Sequence, residues 1–237
     1  IDEWTERIFY CLDATRYFDG AGLKLYLPFD LLSITTLKTD EDEDGTFEIT
    51  YATTDYHLYP LNSYPKTRLK INPNGDYGSF NSGIAKGVQI IGLFGYGNGE
   101  SATPYADSTT TSNEALDATE TGVDVDSGAV FGVGNTILIE SEQMYITGIS
   151  TNTLTVKRAV NGTTAATHDT SKVVYTYEYP DQIVEATLIQ AMRWWKRKDS
   201  AFQDYVGIPE LGTLAAYKGL DPDIKQILLP YIKVRYP

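Results

Sequence analysis

Apolar and polar side chains alternate most regularly between Ile137 and Ala166, ILIESEQMYITGISTNTLTVKRAVNGTTAA. Ile137 and Ile139, Met144 and Ile146, and Leu154 and Val156 each fall two residues apart. The runs are cut at Ser141-Glu142, at Ser150-Thr151-Asn152 and at Asn161-Gly162. A period of two broken by turn residues predicts three short strands in an antiparallel meander. The stretch offers no nucleophile–base pair and no metal-spaced ligands, so it reads as a module that packs or binds.

The pattern changes on either side. Trp4, Ile8 and Cys11 or Leu12 recur at helical spacing, which predicts the end of a helix over Ile1 to Leu12. From Tyr17-Phe18-Asp19-Gly20 the alternation is that of strands. Leu23, Leu25 and Leu27 form one, ending at Pro28. Leu31 to Lys38, Phe47 to Tyr51, Tyr56 to Tyr59, Thr67 to Ile71 and Val88 to Tyr96 form others. Asn72-Pro73-Asn74-Gly75-Asp76 is a strong turn. Residues 101–122 are rich in Ser, Thr and Ala and read as a linker. Val173 to Tyr179 closes the meander. After Pro180, Val184, Leu188, Ala191, Met192 and Trp195 fall at i, i+4, i+7, i+8 and i+11, one face of an amphipathic helix. Arg193, Lys196 and Arg197 project from the other face, near the C-terminal end that favours cations. A second helix starts at Asp221 as N-cap with Pro222 at N1, carries Ile224, Ile227 and Leu228 as its stripe, and bends or ends at Pro230.

Strands followed by helices predict an α+β fold. Its expected parts are helical core elements (an N-terminal helix end and C-terminal helices), an antiparallel β region and an inserted β-meander module. The boundaries read from the pattern are 1–100 for the helix end and β region, 101–122 for the linker, 123–179 for the meander module and 180–237 for the C-terminal helical segment.

Composition narrows the function. With 237 residues the chain is long enough for a substantial core. No run approaches the roughly 18 apolar residues of a membrane span, and Ile1-Asp2-Glu3-Trp4 lacks the basic-then-apolar order of a signal peptide. Cys11 is the only cysteine, which excludes an internal disulfide. A net charge of −13 argues against non-specific nucleic-acid affinity, because phosphate contacts need Lys and Arg. The charge is uneven: residues 1–100 carry 15 acids and 8 bases, residues 101–180 carry 10 and 3, and residues 181–237 carry 7 and 8. The tail therefore suits a different neighbour from the rest. Eighteen tyrosines fit a strand-rich chain with interfaces to make.

Candidate chemistry is sparse. Asp40-Glu41-Asp42-Glu43-Asp44-Gly45 resembles the start of a calcium loop, but its flanks read as strands and the twelfth position is Tyr51, so a solvated hairpin tip is the better reading. Gly95 to Gly99 is glycine-rich with no helix directly after it, as a phosphate cradle would need. His57 and His168 lie in no metal-spaced cluster. Asn161-Gly162-Thr163 matches a glycosylation sequon and is better read as a turn. No catalytic residue, metal site or cofactor is assigned. Arg193, Trp194, Trp195, Lys196, Arg197 and Lys198 make one basic-aromatic cluster. The plain reading puts Trp195 in the core with the bases solvated, and the sharper one makes the exposed edge a docking surface.

Three blocks resemble the head-to-tail connector, or adaptor, proteins of tailed bacteriophages. One is Ala14-Thr15-Arg16-Tyr17-Phe18-Asp19-Gly20 followed by Leu25 to Pro28 and Asp30 to Leu37. Another is Tyr56 to Pro60 with Pro65 and Val88 to Tyr96, and the third is Asp221 to Val234, DPDIKQILLPYIKV. The run from Ile137 to His168 is similar to a β module that recurs in phage structural proteins. The chain departs from the connector pattern in having less helix before Trp4 and in the apparent insertion of linker and meander.

The resemblance implies a structural virion protein, not an enzyme, at the head–tail junction (the neck), made in the host cytoplasm. It implies a homo-oligomeric, dodecameric ring beneath the portal protein that extends the DNA channel towards a tail, nozzle or stopper protein. Double-stranded DNA would pass without sequence-specific binding, and no membrane is involved. Arg193, Trp194, Lys196, Arg197, Leu228, Pro230, Tyr231, Arg235 and Tyr236 are the expected portal or subunit contacts. Asp40, Glu41, Asp42, Glu43 and Asp44 are the expected acidic channel or hairpin-tip residues. Two other readings stand beside this one: another phage tail, baseplate or fibre component, and a β-rich hydrolase, which would need a buried carboxylate pair about 5–10 Å apart in a cleft.

Overall fold

The computed structural model describes residues 1–20, 22–197, 205–208, 212–215 and 219–233. The chain divides into two compact units, Ile8–Glu178 and Ile1–Arg7 with Tyr179–Pro237.

The larger unit is built almost wholly from antiparallel strands. In its first half, β1 (Leu12–Phe18), β2 (Lys24–Thr39), β3 (Ile49–Tyr51), β4 (Tyr56–Tyr59), β5 (Lys66–Ile71) and β6 (Val88–Phe94) form a six-stranded sheet. Its order is β1-β6-β2-β5-β4, with β3 also on β2. Alternation decides which face is inside. Along β6, Val88, Ile90 and Phe94 are buried while Gln89, Ile91 and Leu93 are half-buried. The inward set packs with Leu25, Leu27, Leu37, Leu69, Ile71 and Phe80 in one core. Lys66 is buried at the edge of this core, where its ammonium donates to the carbonyls of Pro60 (2.8 Å), Leu61 (3.1 Å) and Ser63 (2.9 Å). Burial lowers its pKa, while three oxygens keep the cation solvated by protein.

The second half of this unit forms another six-stranded antiparallel sheet from β7 (Tyr105–Thr111), β8 (Gly122–Asp124), β9 (Thr136–Ile139), β10 (Glu142–Ser150), β11 (Thr153–Lys157) and β12 (Val173–Tyr177). Its order is β7-β12-β9-β10-β11-β8. The meander β9-β10-β11 lies at its centre, and Ile137, Ile139, Met144, Ile146, Leu154 and Val156 supply a second core. Asn113 N–H donates to the Asp124 carbonyl (2.7 Å) and Asp126 N–H to the Thr111 carbonyl (3.1 Å). These bonds join the β7 and β8 ends, so the sheet curls onto itself and leaves little open edge.

A strap at Ile8–Cys11 binds the two sheets. The Phe9 carbonyl accepts from the Tyr177 hydroxyl (2.6 Å), and the Cys11 carbonyl accepts from Gln143 Nε2 (2.6 Å). Tyr96 N–H donates to the Ile8 carbonyl (2.8 Å), and the Phe9 and Tyr96 rings pack at 5.3 Å.

The smaller unit holds α1 (Asp2–Thr5), α2 (Asp181–Arg197), α3 (Pro222–Leu228) and the hairpin β13 (Tyr205–Ile208) with β14 (Gly212–Ala215). Asp221 caps α3 by accepting from Asp223 N–H (2.9 Å). Ile183, Ala186, Ile224 and Leu228 are buried, and α2 packs on α3.

The architecture corrects the expected α+β class. The two large hydrophobic cores consist of residues on strands and their loops, and among the described residues the α-helices belong to the smaller unit, so the protein is β-dominated rather than organised on helical core elements. Local readings change with it. The N-terminal helix stops at Thr5 because Glu6 takes the left-handed conformation (φ 56°), and Leu12 already begins β1. The Trp4–Ile8–Cys11 spacing therefore does not mark one helix. Pro28 does not end a strand. It lies within the sixteen residues of β2, between Tyr26 and Leu31, where the ladder to β5 shifts register and needs no N–H from residue 28. Residues 105–111, inside the stretch read as a linker, form β7, whose Ser and Thr side chains mimic linker composition.

Candidate interaction surfaces and a buried ionic clasp

The basic-aromatic cluster lies on α2, but its helix is turned the other way from the sequence reading. Ile183, Ala186 and Gln190 face inward. The stripe of Val184, Leu188, Met192 and Trp195 is exposed, Trp195 at 64%. Trp194 and Lys196 are exposed too. Arg193 reaches the Asp221 carboxylate, so the α3 cap also anchors α2. Of the C-terminal candidates, Leu228 and Tyr231 are interior residues and Pro230 is exposed. The Tyr231 hydroxyl donates to Gln182 Oε1, and its carbonyl accepts from Arg7 Nε (2.6 Å). Arg197 is the last residue of α2, and Lys198, Arg235 and Tyr236 lie outside the described residues.

The acidic run caps the β2–β3 hairpin. Asp40 is buried, and its carboxylate accepts from the N–H groups of Asp42 (3.2 Å), Glu43 (2.8 Å) and Gly45 (2.9 Å). Burial pushes the Asp40 pKa up, but these backbone donors outweigh it and hold the carboxyl below its ordinary value. Glu41, Asp42, Glu43 and Asp44 are exposed. Carboxylate oxygens of Asp40, Asp42, Asp44 and Glu48 lie within 4.8 Å of one another, a spacing that could hold a cation. Tyr51, a strand residue of β3, stands where an EF-hand supplies its bidentate Glu.

A second charged cluster sits inside the curled sheet. Glu142 is fully buried and accepts five hydrogen bonds. Arg158 Nε and Nη2 approach its two oxygens at 2.7 Å each. Ala159 N–H (3.1 Å), Ala166 N–H (3.0 Å) and His168 Nε2 (3.0 Å) supply the rest. The remaining N–H groups of Arg158 meet the carbonyls of Asp117, Glu120 and Ala166 at 2.7–2.8 Å, so all five guanidinium donors are used. Burial raises the Glu142 pKa, yet Arg158, the Ala166 N–H, His168 and the Ala159 N–H together outweigh it and lower it to about 2. His168 Nδ1 lies 2.8 Å from Glu140 Oε2, and Lys172 Nζ lies 2.7 Å from Glu140 Oε1. Both imidazole nitrogens thus face glutamate oxygens, Nδ1 towards Glu140 and Nε2 towards Glu142. The cluster ties the loops at 117–120 and 159–168 to β10. Every oxygen of Glu142 is engaged, which suits a clasp and not an acid–base pair.

The sequence reading missed this clasp, although a signal was present. Glu142 has the inward parity of Met144 and Ile146, and Arg158 that of Leu154 and Val156. Opposite charges of inward parity, on one strand and just past the end of its neighbour, imply a buried pair.

A cleft of about 550 Å³ opens between the sheets, lined by Asp13, Ser33, Tyr105, Glu140, Gln143 and Thr163 among others. Gln143 is spent there: Nε2 donates to Cys11 and Oε1 accepts from Asn161 (2.8 Å). No helix among the described residues is long and apolar enough to cross a membrane. Compared with known proteins, no family model, no curated protein and no solved structure matches this chain.

Proposed function

We propose that the protein is a ring-forming adaptor in a phage neck, placed between the portal vertex and the tail or stopper, with the DNA channel running through the ring. One observation carries this reading. The strand-bearing connector-like blocks between Ala14 and Tyr96 lie in one sheet, while the third block, from Asp221, carries α3 in the smaller unit. The RYFDG block ends β1, the DLLSITTL block is the latter part of β2, and the GVQIIGLFGY block is β6, which pairs with both. The YHLY block is β4 on the far edge of the same sheet.

The chemistry supports a scaffold. The buried charges are engaged in holding loops, and the larger unit has the acidic surface that a channel needs if phosphate is to slide past it. The exposed acids of the β2–β3 tip are the proposed channel-facing residues. The C-terminal segment from about Leu228 onward is the proposed portal contact, through Pro230 and the residues beyond it.

Electron microscopy of the purified chain mixed with the portal protein of its phage tests the reading. Closed rings seated on the portal are the expected image, and removal of residues 229–237 should abolish that binding. A ring whose lumen is basic, or a chain that ignores the portal, would reject the adaptor role.

A further inference from the structure

The sheet built from β1 to β6 carries a basic-aromatic patch on the face that its core does not use. Leu25 on β2 and Leu69 and Ile71 on β5 point into the core, so the residues between them point away from it. Lys24 pairs with Lys70, which pairs with His57, and Tyr26 pairs with Arg68, which pairs with Tyr59. Paired side chains share a face, so these six make two rows across β2, β5 and β4, roughly 7 Å apart. One row is basic. In the other, the Arg68 guanidinium lies 4.7 Å from the Tyr59 ring centroid and 5.9 Å from that of Tyr26. Lys24, Tyr26 and His57 are exposed, Tyr26 by 44%, and the other three are half-buried.

The fold leaves these cations uncommitted. Arg158, Lys172 and Arg193 each meet a carboxylate, and Lys66 is occupied by three carbonyls. Among the described residues Lys24, Arg68 and Lys70 have no carboxylate partner, and Arg68 Nε is buried without a hydrogen bond. No acid interrupts the patch. Residues 20–29 and 56–75 contain Lys24, Lys66, Arg68 and Lys70 and neither Asp nor Glu. Asp55, two residues before His57, is buried and accepts from the N–H groups of Ala52 (2.8 Å) and Asp76 (3.0 Å). The acidic tip follows the far end of β2. At about 3.3 Å per residue the strand path from Tyr26 to Thr39 is several screening lengths of about 8 Å.

We propose that this sheet face binds single-stranded nucleic acid, with phosphates on Lys24, Lys70 and Arg68 and bases stacked on Tyr26 and Tyr59. The proposal goes beyond the adaptor reading and does not depend on it. The net charge of −13 argues against affinity of the chain as a whole, and the patch is the local exception. The rings decide between anionic partners. A chain of carboxylates has no π face to set against tyrosine, whereas every nucleotide brings a base and a phosphate together. A duplex keeps its base faces inside the stack, so only a single strand uses both rows.

Fluorescence anisotropy of the full chain with a labelled oligodeoxythymidylate of about 12 nucleotides tests this. Saturable binding is expected at low salt. Three phosphate contacts imply a log–log salt slope of about −2, so affinity should fall about 20-fold from roughly 50 to 200 mM salt. A duplex of the same length should bind about tenfold more weakly, since its bases cannot reach the tyrosines. Lys24→Glu should weaken binding about tenfold, and Lys24→Glu with Lys70→Glu about 100-fold, with circular dichroism unchanged. Lys24 is exposed, so the single variant carries the test should the double one misfold. Tyr26→Leu should weaken binding about tenfold and leave the salt slope unmoved, which separates stacking from charge. Lys157→Glu, at an exposed base on β11, is the control and should bind like the wild type. Absence of saturable binding at low salt overturns the proposal. So does a duplex bound as tightly as the single strand, or an equal loss in Lys157→Glu and Lys24→Glu. Polyglutamate that displaces the oligonucleotide at equal residue concentration also overturns it, and makes the partner an acidic protein segment.

Discussion

Two regions of the larger unit gather charge, and they handle it in opposite ways. At the β2–β3 tip, four consecutive exposed acids follow one buried member, and Asp40 is satisfied by the backbone of its own loop. At the clasp, one fully buried glutamate gathers an arginine, a histidine and two amides from loops distant in sequence. The tip is conspicuous in the sequence and organises a few residues. The clasp is nearly invisible there and ties together segments from residue 117 to residue 168. Conspicuous charge marks contact with solvent or a partner, whereas a charge of inward parity marks a structural commitment.

Variants at the two regions can break this contrast. The largest effect is expected from Glu142→Gln, which leaves Arg158 buried without its counter-charge and should cost about 3–5 kcal/mol in chemical denaturation. Replacing both partners, Glu142→Leu with Arg158→Met, should cost less than the single change, because no uncompensated charge remains. A Glu142→Gln protein as stable as the wild type would remove the contrast altogether.

Acid titration separates the regions next. The Glu142 pKa is about 2 in the folded protein, below its ordinary 4.5. A carboxyl depressed on folding contributes stability that is fully present above about pH 4.5 and is lost as pH falls towards 2. Denaturation midpoints should therefore fall across that window, and the slope should flatten in Glu142→Gln. An unchanged slope would place the acid sensitivity elsewhere.

Smaller effects follow at groups that serve a single loop. Lys66→Met removes a cation from three carbonyls and should cost about 1–3 kcal/mol, measured as a shift in denaturation midpoint. Asp40→Asn should do least: faster amide exchange at residues 42–45 with the global midpoint unmoved. A global loss of stability from Asp40→Asn would make the tip a structural centre like the clasp.

Where the sequence was legible, side-chain parity was the reason. The period of two across Ile137–Val156 matches β9, β10 and β11, because each strand buries one face. Asp221-Pro222 marks the start of α3, since N-cap and N1 chemistry are local. The helix α2 was legible as a helix but not in its orientation. The stripe with the most hydrophobic side chains faces water, while the smaller set of Ile183, Ala186 and Gln190 packs inward. Hydrophobic spacing finds a face that wants covering and is silent on what covers it. Pro28 misled because a proline stops a strand only where its missing N–H is needed. The strap at Ile8–Cys11 is illegible as a contact, since it depends on long-range pairing, and the clasp shows only in the inward parity of Glu142 and Arg158.

One consequence follows from how the curled sheet begins and ends. Tyr105 on β7 is the pairing partner of Tyr177 on β12, and Glu178 N–H donates to the Pro104 carbonyl (2.9 Å). The chain thus enters and leaves this sheet through neighbouring positions. A gene segment with that property is portable: it can be spliced into a host chain at one surface point, or cut out, while the gap to be rejoined is only the width of a strand pair.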